Sequence, residues 1–237
     1  MTPPGYAILG DGRVARHLAH YFGLEGITLS AWSRRAEREL GAPLAGAVAN
    51  ADVVLLAVAD DAIASVAARP ELAGRTLVHF AGALTLPSVA GLHPLMTFGP
   101  ALLTHEEYRA IPFIGESGRP SFTTLFPHLP NPSFAIDPAR KARYHALATL
   151  AGGLPPLVWE HFLRALTDAG IPASAAGPYL DAVMRRIRGP MPFPVTGPAV
   201  RGDLGTVAVH REALAGHPAA DLYDAFVRAI QPGPGEP

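Results

Sequence analysis

The sequence has no cysteine. Disulfides, thiolate catalysis and cysteine-ligated metal centres are therefore excluded. Charge is also scarce: 16% of the 237 residues are Asp, Glu, Lys or Arg, and the formal net charge is −1. Such a balance gives no general attraction for a polyanion, and no basic stretch is interleaved with aromatic residues, so nucleic acid is not expected as a partner. No apolar run approaches the roughly 18 residues that suggest a membrane span. Residues 1–4 lead straight into a strand-like run, so no secretory signal is expected and the location expected is cytoplasmic. There is no P-loop, no H-E-x-x-H pair and no G-x-S-x-G elbow. No metal site is expected either. His17 and His20 lie three apart with no third ligand nearby and read as a solvated helix face.

What is abundant is apolar residues, at 49%, together with 24 glycines and 25 prolines. Glycine and proline fall between periodic segments and act as punctuation. The stretch that organises the chain is Y-A-I-L-G-D-G-R-V-A at residues 6–15. A short apolar run ends at Gly10, and helical spacing begins near Arg13. Gly10 permits a tight turn. Gly12 has no Cβ to keep a pyrophosphate from the backbone, and the free N–H groups of Arg13 and Val14, beside Asp11, would face that anion. Ala15 takes the third place of the dinucleotide fingerprint, still small enough for close helix–strand packing. The plainer reading is a glycine-rich turn with no ligand.

A second strand is expected at residues 27–31. After it an NAD-specific site carries Asp or Glu for the ribose 2′-hydroxyl. Here the chain has Ser33, Arg34 and Arg35. A hydroxyl and two guanidinium forks suit a 2′-phosphate, so the cofactor expected is NADP(H). Alternatively, Ser33 only caps a helix. The continuous run at residues 52–58 predicts a buried parallel strand, with Ala57, Val58 and Ala59 small enough to lie against the cofactor. A helix through Ala68 follows, then a strand at residues 76–80 with Ala81 and Gly82 in the same kind of loop. Further strands are expected at 89–92, 111–115 and 133–136.

From Pro138 the pattern becomes helical: 139–151, 157–169, 175–187, 203–214 and 219–230, with one extended piece at 193–195. Gly152-Gly153 and Pro155-Pro156 predict a break between the first two. The fold class expected is α/β, a Rossmann-type doubly wound parallel sheet followed by a smaller all-helical domain. The boundaries expected are 1–136 for the dinucleotide-binding domain, 137–231 for a helical substrate or dimerisation domain, and 232–237 for a disordered tail.

G-D-G-R-V-A at 10–15, S-R-R at 33–35 and A-D-V-V-L-L-A-V-A-D-D-A-I at 51–63 make the first half resemble the NADP-binding domain of pyrroline-5-carboxylate reductases, β-hydroxyacid dehydrogenases and deazaflavin-dependent NADP oxidoreductases. G-L-H-P-L-M-T-F at 91–98, Y-H at 144–145, and T-G-P-A-V-R-G-D at 196–203 with His210 downstream are similar to short oxidoreductases that join a Rossmann-like domain to a helical domain of unknown function. The resemblance implies an NADP(H)-dependent hydride transfer on a small carbonyl, imine, alcohol or amine that bears a carboxylate, in a homodimer. It also implies a Ser-Asn pair about eight residues after Tyr-His, where this chain has Gly152-Gly153.

Two residues are named for catalysis. His93, before Pro94, suits general acid–base work near neutral pH. Its H-P-L-M segment resembles the H-P-M motif of prephenate dehydrogenases, which makes such a dehydrogenase an alternative. The alternative for His93 is a residue that only bonds backbone in a domain-linking loop. Arg201 would clamp a substrate carboxylate, or pair locally with Asp203, the expected N-cap of the next helix. His210 reads as a helix-packing or surface residue within that helix. A non-catalytic NADP(H)-binding sensor is the reading from another class, kept open by Gly152-Gly153.

Overall fold

The computed structural model describes residues 4–193 and 195–230. The expected tail at 232–237, and residue 194 of the expected extended piece, lie outside the described residues. Packing divides the chain into two compact units, Met1–Gly152 and Gly153–Pro237.

The first unit opens with β1 (Tyr6–Leu9), α1 (Arg13–Leu24) and β2 (Leu29–Trp32). Next come α2 (Arg34–Leu40), α3 (Leu44–Val48), β3 (Val53–Leu56), α4 (Asp60–Ala67) and β4 (Thr76–His79). β5 (Ala90–Pro94), α5 (His105–Ala110), β6 (Phe113–Glu116), α6 (Phe122–Leu125) and β7 (Ser133–Ile136) complete the sheet. Its order is β2-β1-β3-β4-β5-β6-β7. All neighbours run parallel except β5 and β6. Two parallel segments thus meet at one antiparallel seam, a mostly parallel Rossmann-like sheet.

The apolar run of β1 is buried on both faces, which explains why it does not alternate with polar residues. Tyr6 and Ile8 join α1 residues Leu18, Tyr21 and Phe22 in one core layer. Ala7 and Leu9 join Leu44, Val48 and Ile63 in the other. Two side chains differ from their expected settings. His17 is fully buried instead of solvated, with Nδ1 2.7 Å from the Tyr108 hydroxyl and Nε2 3.0 Å from the Gly99 carbonyl. His93 sits inside β5, paired with Ile114 across the antiparallel seam, and not in a loop beyond it.

The expected helix break does not occur. α7 runs unbroken from Pro138 to Asp168 with Pro155 and Pro156 inside it. An interior proline loses a hydrogen bond and costs a helix about 3 kcal/mol, so packing must oppose the local preference. The first half of α7 is held by Lys141, which is fully buried. Gly152 answers a close approach: a Cβ there would lie 3.0 Å from Thr97 Oγ1.

In the second unit α8 (Gly177–Ile187), α9 (Pro198–Arg201), α10 (Leu204–Ala213) and α11 (Ala220–Ile230) follow the rest of α7. Ala199, Val207 and Val227 form a small core. Asp203 caps α10 as expected, accepting from Thr206 N at 3.1 Å. His210 packs, with Nδ1 2.8 Å from the Tyr223 hydroxyl. Among the described residues, no helix is long and apolar enough to cross a membrane.

Candidate functional site

β2 and β3 lie on opposite sides of β1, so the strand order reverses there. Loops from the carboxyl ends of strands diverge at such a point and leave a crevice. A cavity of about 780 Å³ occupies it. Its wall contains Gly10, Asp11, Gly12, Arg13 and Val14 after β1, Ser33, Arg34 and Arg35 after β2, Ala57, Val58 and Ala59 after β3, and Ala81 after β4.

The two glycines of the first loop do different things. Gly10 has φ +126° and sits so close to β3 that a Cβ would collide with the Ala57 carbonyl oxygen. Gly10→Ala should lower the free energy of unfolding by about 2–5 kcal/mol, combining backbone strain with overpacking. Urea denaturation checks this, and a change below about 0.5 kcal/mol would refute it. A Cβ on Gly12, by contrast, would meet nothing within 4 Å. Gly12 is the N-cap of α1 and supplies no side-chain cap, and α1 has no acidic residue in its first turn. Its first N–H groups are thus left for an exogenous anion. The residues fit a phosphate-bearing dinucleotide: an uncapped helix start, open space where a Cβ would stand, and basic side chains at the rim.

Ser33 caps α2, its hydroxyl accepting from Ala36 N at 3.1 Å. Arg35 Nε lies 3.1 Å from Asp11 Oδ2, joining the first and second loops across an exposed part of the wall. Arg34 forms no ion pair among the described residues. Arg38, one turn along α2, also lines the cavity, with only a 4.0 Å contact to Glu39.

Gly82 is not in the wall. Its α-carbon faces the His145 imidazole so closely that a Cβ would overlap the ring. One residue beyond Ala81, therefore, the β4 loop meets a second cluster. His93 Nδ1 is 2.9 Å from the Tyr144 hydroxyl. The His93 and His145 rings stand edge to face, their centroids 5.0 Å apart. Burial, then the neighbouring His145 and Lys141, push the His93 imidazole down to about 4. It is consequently neutral at pH 7 and not the half-protonated acid expected from its ordinary value. Burial raises the Tyr144 phenol, which stays protonated. Arg201 ends α9 in the second unit, exposed and without an ion pair among the described residues.

Residues 115–230 match the model of a domain of unknown function, DUF2520. No curated protein matches the chain significantly. Among solved structures, a candidate NADP oxidoreductase of Bacteroides fragilis superposes with a TM-score of 0.73 at 21% identity, over 96% of this chain and 97% of that one. Pyrroline carboxylate reductase of Plasmodium falciparum, solved with NADP bound, gives 0.61 at 13% identity over 97% and 99%. A reductive aminase of Aspergillus terreus in complex with NADPH and ethyl levulinate gives 0.57 at 19% identity over 90% and 78%.

The fold is that of Rossmann-like NADP oxidoreductases.

Within this fold the cavity lies where the sequence directed attention, but three kinds of residue escaped sequence reasoning. Trp32 and Phe80 line the cavity as strand-end residues whose inward direction only the sheet register reveals. Arg38 needed the phase of α2. Tyr144 was recognisable only as half of a Tyr-His pair, and its partner is 51 residues away in sequence.

Proposed function

We propose that the chain is an NADP(H)-dependent oxidoreductase acting on a small carbonyl or imine, or on the matching alcohol or amine. The single observation that carries the proposal is the strand-switch cavity with an uncapped α1 terminus and, at its rim, Arg34, which has no ion-pair partner among the described residues. Gly10, Asp11, Gly12, Arg13 and Val14 would hold the pyrophosphate by backbone N–H groups. Arg34, Arg35 and Arg38 would surround the 2′-phosphate, and Ala57, Val58, Ala59 and Ala81 would allow close approach of the rest. The bound nicotinamide supplies the hydride. His93 and Tyr144 handle the accompanying proton: a neutral imidazole donating Nδ1–H to the phenol oxygen leaves the phenolic proton free for the substrate oxygen or nitrogen. The exposed guanidinium of Arg201 is our candidate for a substrate carboxylate. We further propose a cytoplasmic homodimer, in line with the reductase resemblance.

The test is a titration with NADPH and, separately, NADH, followed by nicotinamide fluorescence. Tight binding with a preference for NADPH of about tenfold or more is expected, the equivalent of about 1.4 kcal/mol. Equal affinity would remove the arginine argument. No binding of either would leave the cavity without its proposed occupant. Binding without turnover of any carbonyl or imine would favour a non-catalytic sensor.

A further inference from the structure

Glu116, at the end of β6, and Lys141, in the first turns of α7, form a buried ion pair, Nζ to Oε1 2.5 Å, with their side chains 0% and 1% exposed. The same ammonium donates to the Leu84 carbonyl at 2.5 Å, and Thr85 Oγ1 donates to Glu116 Oε1 at 3.3 Å. Both partners converge on Gly91 of β5, where a Cβ would overlap Lys141 Nζ and lie 2.5 Å from Glu116 Oε1. His79 of β4 pairs in register with Gly91. The charges therefore sit over one row of the sheet, at the place where a methyl group would otherwise stand.

This arrangement is a poor stabiliser. Glu116 Oε2 and both ring nitrogens of His79 are buried and unpartnered among the described residues. Desolvating an ion pair already offsets most of its Coulombic gain, and each unsatisfied polar atom costs more. Such a violation of packing rules is the kind found where function demands it.

The pair's geometry identifies that demand. Residues three and four apart share a helix face. From Lys141 these are Tyr144, whose hydroxyl meets His93, and His145, whose ring stands against Gly82 and beside His93. Leu84 belongs to the same loop as Ala81 and Gly82. One ammonium thus ties α7 to β6 and to the β4 loop together.

We infer that Lys141 and Glu116 are the positioning pair of the proton-handling cluster, fixing the rotation of α7 and the β4 loop so that Tyr144 and His145 meet His93. The inference rests on the function proposed above only for what the cluster does, not for its assembly. The groups facing His93 are Tyr144, His145 and Lys141, all three from α7.

The test is proton NMR of the full chain without cofactor, so that failure of the NADP(H) proposal does not affect the readout. Contacts between the His93 and Tyr144 rings are followed, together with the His93 titration. Lys141→Met alone leaves a buried carboxylate and is prone to unfold, so Lys141→Met with Glu116→Leu is made beside it; such apolar replacement of a pair is often tolerated. Gly91→Ala displaces both charged groups without removing either. The expected result is loss of the ring contacts and a rise in the His93 midpoint, from about 4 towards its ordinary value by more than about one unit. Lys141→Arg should keep the contacts. If the double variant folds with contacts and midpoint unchanged, the pair only fills space and the inference is overturned. The same outcome in Gly91→Ala, should the double variant not fold, overturns it equally.

Discussion

Tyr144→Phe should lower turnover of a carbonyl or imine by about 10²–10³-fold, within the range for losing a positioned proton donor, and should leave NADPH affinity within about twofold. The phenol bonds His93 and does not line the cavity, so its loss should remove the proton path and not the cofactor's contacts. His93→Ala should cost a similar factor, and the double variant little more than either, because groups that act as one unit are not additive. The pH profile separates this pair from a lone catalytic histidine. An imidazolium acid with an ordinary pKa would lose rate as pH rises through about 6.5. His93, held down to about 4 chiefly by burial, is neutral throughout that range, and its required form is lost only as pH falls through about 4. A rate that declines between pH 6 and 7.5 and is insensitive to Tyr144→Phe would sink the assignment. Stopped-flow single turnovers read it without interference from product release.

Arg34→Ala combined with Arg38→Ala should weaken NADPH binding about 10–100-fold and leave NADH binding unchanged: charge-assisted hydrogen bonds contribute roughly 1.5–3 kcal/mol, and the exposure of both side chains screens the pair to about the value of one such bond. Arg35→Ala should have the smaller effect. Its guanidinium already has Asp11 as a partner at 3.1 Å, so it would have to share itself between two anions, and exposed pairs of this kind contribute about 0–1 kcal/mol. Isothermal titration calorimetry with each nucleotide decides the matter. Equal losses for NADPH and NADH would mean that the arginines act on the shared pyrophosphate and not on the 2′-phosphate.

The sheet was legible in the sequence because two-sided burial leaves unbroken apolar runs, and the runs at 6–9 and 52–58 contain β1 and β3. The ends of β1, β2 and β3 converge in this fold, and the cavity wall brings together every residue expected to bind cofactor except Gly82. What was hidden depends on partners distant in the chain. Lys141 carried no signal in the sequence, because its carboxylate is 25 positions away. His17 looked solvated because Tyr108 is 91 positions away. Gly152-Gly153 and Pro155-Pro156 signalled a break, since local propensity takes no account of what holds the start of α7.

The contrast between Gly10 and Gly12 has a consequence for how variation at the two positions would be filtered. At position 10 a methyl group strikes the carbonyl of Ala57, just after β3, so other residues should be depleted by the demand for folding alone, whatever is dissolved around the chain. At position 12 the space is open, and a library screened only for folded protein should admit side chains freely. Depletion at position 12 should emerge only when the screen also demands whatever fills that space, so comparing the two screens would reveal the imprint of an occupant without its identity being known beforehand.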